Sequence, residues 1–246
     1  MLNFIYADLR RIFFRVPRLI GTVLMYAALV LTLNISTLSG VTPVGFVSAV
    51  SMFVGISAIV WGLFILIAVF ADDFKAKTMQ VAIGLGIPRS KIVIGKLLET
   101  VILTTFELSV LFLSILIASV FLKAGLNVSQ VQELFICCCM AGINVISYIS
   151  LTMILMFFTQ STGGGRVLYL ALTSTMVFLA VDLLTSVEAL ERLHIAKLTL
   201  HNILEVGRVR WIVGTFDLRL FAGIILYVVL ATILTIVLFR KRELEF

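Results

Sequence analysis

The stretch VGFVSAVSMFVGISAIVWGLFILIAVFA, residues 44–71, carries no charged side chain, and Ser48, Ser51 and Ser57 are its only hydroxyl groups. At 1.5 Å per residue it is longer than the ~30 Å hydrocarbon core of a bilayer. A barrel strand would alternate apolar and polar positions over about ten residues, whereas this run is continuous. It is therefore a membrane-crossing helix, long enough to tilt or to extend past the lipid. Five more runs of the same kind lie at 19–38, 100–122, 134–158, 167–187 and 218–239. The expected fold is all-α: a polytopic membrane protein of six transmembrane helices, with residues 1–246 forming one domain.

Composition agrees with this reading and removes other classes. The chain has 246 residues, 61% hydrophobic and 13% charged, where an ordinary soluble domain has about 25% charged residues. A water-soluble enzyme of this size could not cover so much apolar surface. The apolar content and low charge likewise exclude a disordered chain.

The basic residues set an expected orientation. Arg10, Arg11, Arg15 and Arg18 precede the first run. Lys75, Lys77, Arg89, Lys91 and Lys96 lie between the second and third. Arg166 precedes the fifth, and Arg240, Lys241 and Arg242 follow the sixth. The loop after the first run has no basic residue, and the next on that side has Lys123 alone. Both termini are thus expected in the cytoplasm, with the net charge of +6 directed at anionic headgroups rather than at nucleic acid. The first run is too long for a signal-peptide core and is expected to be retained.

Three segments outside the runs have their own pattern. In 1–17, Leu2, Ile5, Tyr6, Leu9, Ile12, Phe13 and Val16 recur at steps of three and four, opposite Asp8, Arg11 and Arg15. That stripe predicts an interfacial helix on the cytoplasmic leaflet. In 72–99, a short helix is expected to open on Asp72 and Asp73, where the dipole favours anions, and to stop at Gly84 and Gly86. A second helix then opens at Pro88, with Arg89, Lys91 and Lys96 anchoring it by snorkelling. In 188–217, spaced leucines and isoleucines predict short amphipathic helices on the outer surface.

Little in the chain points to catalysis. There is no P-loop, no H-E-x-x-H and no G-x-S-x-G. Gly163, Gly164 and Gly165 read as a flexible turn. Cys137, Cys138 and Cys139 are consecutive, so on a helix they point about 100° apart and cannot converge on one metal; they read as small apolar residues. His194 and His201 are two helical turns apart, too far to share a zinc ion on a straight helix. No metal site is expected. Glu107, beside Thr104, Thr105 and Ser109, is the most deeply placed acid. A charged acid at the bilayer centre costs about 2.5–3.5 kcal/mol, so it must face protein or water. It is the candidate intramembrane polar or pathway residue.

This layout resembles that of an ABC-2 type transporter permease. The local signature is Phe70-Ala-Asp-Asp-Phe-Lys-Ala-Lys-Thr-Met-Gln, then Gly86-Ile87-Pro88-Arg89-Ser90-Lys91 and Gly95-Lys96. It is similar to the acidic–Lys–Thr helix and the following basic stretch of that family, especially of permeases in bacterial peptide-antibiotic (lantibiotic) export and immunity. The resemblance implies a chain that is not itself an enzyme and binds no cofactor. ATP and Mg would sit on partner ABC-type ATPase subunits, and a second permease subunit, the same or related, would complete the pathway in a bacterial cell membrane. The substrate implied is amphipathic or hydrophobic, such as an antimicrobial peptide or drug. The segment 72–99 would be the coupling loop, with Asp72, Asp73, Phe74, Lys75, Lys77, Thr78 and Met79 touching the ATPase and Arg89 and Lys91 close by. Two other classes compete: an ion-coupled secondary transporter or channel using Glu107, and a purely structural or signalling membrane partner. The first would be expected to show two related halves, and no obvious repeat relates 1–122 to 134–239.

Overall fold

The computed structural model describes residues 2–14, 16–38, 42–75, 78–174 and 199–241. Among them are nine helices and no strand: α1 (Leu2–Phe13), α2 (Val16–Leu38), α3 (Pro43–Lys75), α4 (Thr78–Gly84), α5 (Arg89–Phe121), α6 (Val128–Thr159), α7 (Thr162–Thr173), α8 (Leu200–Ile212) and α9 (Leu218–Lys241).

Four of these, α3, α5, α6 and α9, are long and apolar enough to cross a membrane. They contain the runs expected at 44–71, 100–122, 134–158 and 218–239. The run at 19–38 lies within α2, which meets α1 at a bend of 54°; the bent pair taken as one element would be a fifth crossing. The run at 167–187 begins in α7, and its remainder lies outside the described residues, as do Asp182 and His194.

Local chemistry explains the helix ends and corrects three expectations. Asp72 and Asp73 do not open a new helix, because α3 continues through them to Lys75. They lie in its last turn, where the dipole disfavours anions, and basic side chains described below compensate. The basic stretch from Arg89 is likewise not a separate helix. It is the first third of α5, a single 33-residue rod that starts after Pro88. Between the two rods, α4 ends in a Schellman motif: Gly86 has φ +85°, Gly86 N donates to Ile83 O, and Ile87 N donates to Ala82 O. The third correction concerns Gly163–Gly165, which form the first turn of α7 rather than a flexible turn. Gln160 closes α6 in the left-handed region, and the Ser161 side chain accepts from Gly163 N to start α7. A Cβ on Gly165 would lie 2.2 Å from Met156 Cγ, so glycine lets α7 fold back onto α6.

Helix α6 is the hub, packing against α3, α5, α7, α8 and α9. At one end, Phe157 of α6 meets Phe70 and Phe74 of α3 and Phe239 of α9 edge to face, at ring separations of 6.3, 5.5 and 5.0 Å. That aromatic cluster sits beside α4 and brings together the last turns of α3, α6 and α9. The start of α1 expected to lie on lipid is instead partly covered by protein: Ile5 and Ile12 are buried, while Tyr6 is exposed. Outward, α5 and α9 keep apolar faces open, including Leu113, Ile117, Ile225 and Leu230, as helices bordering lipid do.

Candidate functional site

The corner where α3, α4 and α5 meet holds most of the buried charge among the described residues. Asp73, in the last turn of α3, accepts from Arg11 Nη2 of α1 at 2.8 Å and pairs with Lys96 of α5. Lys96 Nζ also lies 2.5 Å from Asp8 Oδ2 of α1 and 2.8 Å from Glu99 Oε2 one turn along α5. Arg11 reaches Asp8 as well, at 2.6 Å. Three carboxylates thus share two cations. The Lys96 side chain is 1% exposed, so it does not snorkel to the headgroups: the three acids hold it inside, where a lysine persists only when paired.

A second ionic contact lies about two turns deeper on α5. Arg18 Nη2 is 2.5 Å from Glu107 Oε1, and Thr22 Oγ1 donates to the same oxygen at 3.4 Å. The other arm of Arg18 donates to Phe13 O at 2.8 Å, closing the end of α1. Its guanidinium stacks 4.3 Å above the Phe13 ring, and Phe13 meets Phe106 of α5 edge to face at 5.1 Å. The sequence places Arg18 only among the basic residues ahead of the first run; in the structure it is the partner of Glu107 and the staple of the bend between α1 and α2. One signal for this was present in the chain: an arginine directly after Pro17, at the head of an apolar run.

The residues nominated for docking divide. Asp73 and Met79 are buried, and Phe74 is half-buried against Phe157. Arg89 is committed to α9, donating to Phe239 O at 2.6 Å and Arg240 O at 3.1 Å. Asp72 is half-buried, and Lys91 is exposed. Lys77 lies outside the described residues, as do the side chains of Lys75 and Thr78. The outward face of this corner is apolar: Val81 of α4 is 62% exposed and Leu85, just past the end of α4, is 79% exposed, and Leu85 N donates to Val81 O at 3.0 Å. Val81 belongs to the apolar surface that the sequence predicts for this segment, together with Met79 and Ala82, which are buried instead; Leu85 is the addition, and its signal is the 79/82 against 81/85 spacing, one pair facing in and the other out.

No group of metal-binding side chains occurs among the described residues. Compared with family models, with curated proteins and with solved structures, the chain finds no match. What the corner can do is therefore a matter of its own geometry. A short helix with an apolar outer face lies between two long rods, and the ion pairs of Asp73, Lys96, Asp8 and Arg11 join those rods to each other and to α1. The buried residues of α4 itself are Met79 and Ala82.

Proposed function

We propose that the chain is the membrane-spanning permease subunit of an ATP-binding-cassette exporter of ABC-2 type. It would have six spans, both termini in the cytoplasm of a bacterial cell, and a second permease subunit as partner. ATP and Mg belong to separate ATPase subunits, and the cargo is amphipathic or hydrophobic. The observation that carries this reading is the α3–α4–α5 corner, where Val81 and Leu85 stand exposed between two long helices that buried ion pairs join to each other. Apolar anchors ringed by charge are what a protein-docking surface requires. Val81 and Leu85, with Lys91 nearby, make the contact, while Asp73, Lys96 and Arg11 transmit it. Movement of the ATPases then becomes a rigid-body shift of packed helices. Since Arg18 holds the carboxylate of Glu107, an ion-coupled mechanism through Glu107 would have to open that pair at each cycle.

The test is affinity purification of the chain from native membranes. A P-loop ATPase is expected in stoichiometric amount, and Val81→Glu with Leu85→Glu should remove it while leaving membrane insertion unchanged. A chain that purifies without any ATPase after gentle crosslinking would overturn the proposal.

A further inference from the structure

Two cavities lie at the opposite end of the bundle from α4. The first, about 320 Å³, opens between the starts of α3 and α6 and is lined by Val44, Val47, Ser48, Ser51, Gln130 and Glu133. The second, about 330 Å³, lies deeper between α3, α6 and α8, with Asn144, Glu205 and Arg208 in its walls. Ser51 borders both, and Cys137 Sγ donates to its Oγ across 3.7 Å. From Glu133 to Asn144 is about 16 Å along α6, so the two cavities follow one another as a seam from the end of the bundle towards its middle, with Ser51 as their shared wall. Each has the size of a small-molecule site.

The polar groups of the seam define what it can hold. Arg208 donates to Glu205 through Nη2 at 2.5 Å and Nε at 3.2 Å, and the pair is neutral. Gln130 spends its carbonyl on Asn127 N. Half-buried Glu133 has no ion-pair partner among the described residues, and among those residues it leaves the seam one negative charge. Asn144 Oδ1, in the wall of the deeper cavity, is buried with no donor among the described residues. Around and below Ser51 the walls are otherwise apolar, with Met52, Val54, Ile56, Met140 and Leu204.

We propose that this seam binds an amphipathic monocation. Its ammonium group sits on Glu133 beside the Ser48 and Ser51 hydroxyls, and its apolar body lies in the deeper cavity. An anion is refused by Glu133, and a neutral ligand leaves that carboxylate uncompensated. The site is independent of ATPase docking, which involves the other end of the bundle, so its failure would leave that reading untouched.

The experiment is equilibrium binding of radiolabelled decylammonium to the full chain in phosphatidylcholine nanodiscs, with uptake by empty nanodiscs subtracted. One saturable site per chain is expected, not displaced by decyl sulfate. Glu133→Gln should weaken it by about tenfold or more, and Arg208→Gln, which adds a net negative charge, should tighten it. Ser51→Trp should block it, with helicity by circular dichroism checked for each variant; should Glu133→Gln fail to fold, Arg208→Gln carries the charge test. Uptake equal to empty nanodiscs would overturn the proposal. So would equal competition by decyl sulfate, or affinity that ignores both charge changes.

Discussion

Replacing Lys96 by Met tests whether the ionic corner holds α1, α3 and α5 together. Lys96 Nζ touches Asp8 at 2.5 Å, Glu99 at 2.8 Å and Asp73, and its removal leaves three carboxylates facing Arg11 alone. Two carboxylates about 5 Å apart repel by about 3 kcal/mol at an effective dielectric constant of about 20. Breaking a buried pair by deleting one partner costs about 3–5 kcal/mol. Both figures describe the same uncompensated charge, so they do not add, and the expected loss is about 3–5 kcal/mol. Adding Glu99→Leu restores the original charge balance and should recover at least about half of that loss. The assay is equilibrium unfolding in mixed dodecyl maltoside and sodium dodecyl sulfate micelles, followed by circular dichroism. Lys91→Met, at an exposed position on the same helix, is the control and should change stability by no more than about 0.5 kcal/mol. A Lys96→Met chain within about 1 kcal/mol of that control, or a double variant with no recovery, would refute the reasoning.

The same assay checks three further expectations. Arg18→Met should cost about 3 kcal/mol, with most of it returned by Glu107→Leu; additivity of the two changes within about 0.5 kcal/mol would show that the pair does not act as drawn. At Gly62 a Cβ would fall 1.8 Å from Tyr169 Oη, whose hydroxyl donates to Ala58 O at 3.0 Å. Gly62→Ala should therefore lose about 1–3 kcal/mol, whereas at Gly55, where a Cβ meets nothing within 4 Å, alanine should be neutral or stabilising by up to about 1 kcal/mol. Arg89→Ala removes the cap on the last carbonyls of α9 and should cost about 1–2 kcal/mol. In hydrogen exchange the final turn of α9 should then lose protection while α3 keeps its own; a uniform loss would contradict a local capping role.

Hydrophobic runs were legible because burial in lipid demands them continuously: 44–71 and 218–239 fall inside α3 and α9 with ends only a few residues further out. Helix ends set by charge were less so. Asp72 and Asp73 look like a helix start under a dipole rule, yet the distant cations Arg11 and Lys96, both on Asp73, reverse the local preference. No window of neighbouring residues contains that information. The sequence requires Glu107 to face protein or water, but nothing near it in the chain names Arg18, 89 residues away, as the group it meets. The glycine run misled for a related reason: glycine raises the cost of a helix, and only its packing against Met156 makes the absence of a side chain favourable.

Helices α3 and α5 are each 33 residues long, about 50 Å of nearly inextensible rod. Both are gripped at the α4 end, where Asp73 and Lys96 join, and the seam at Ser51 and Glu133 lies far along the bundle from that grip. Such an arrangement is a lever with its fulcrum at one tip. A rotation of about 5° at the corner sweeps the far tip of a 50 Å rod through about 4 Å, roughly the width of an alkyl chain. The buried charges therefore fix more than a local contact: their stiffness sets how much of a small angular displacement survives to the distant opening.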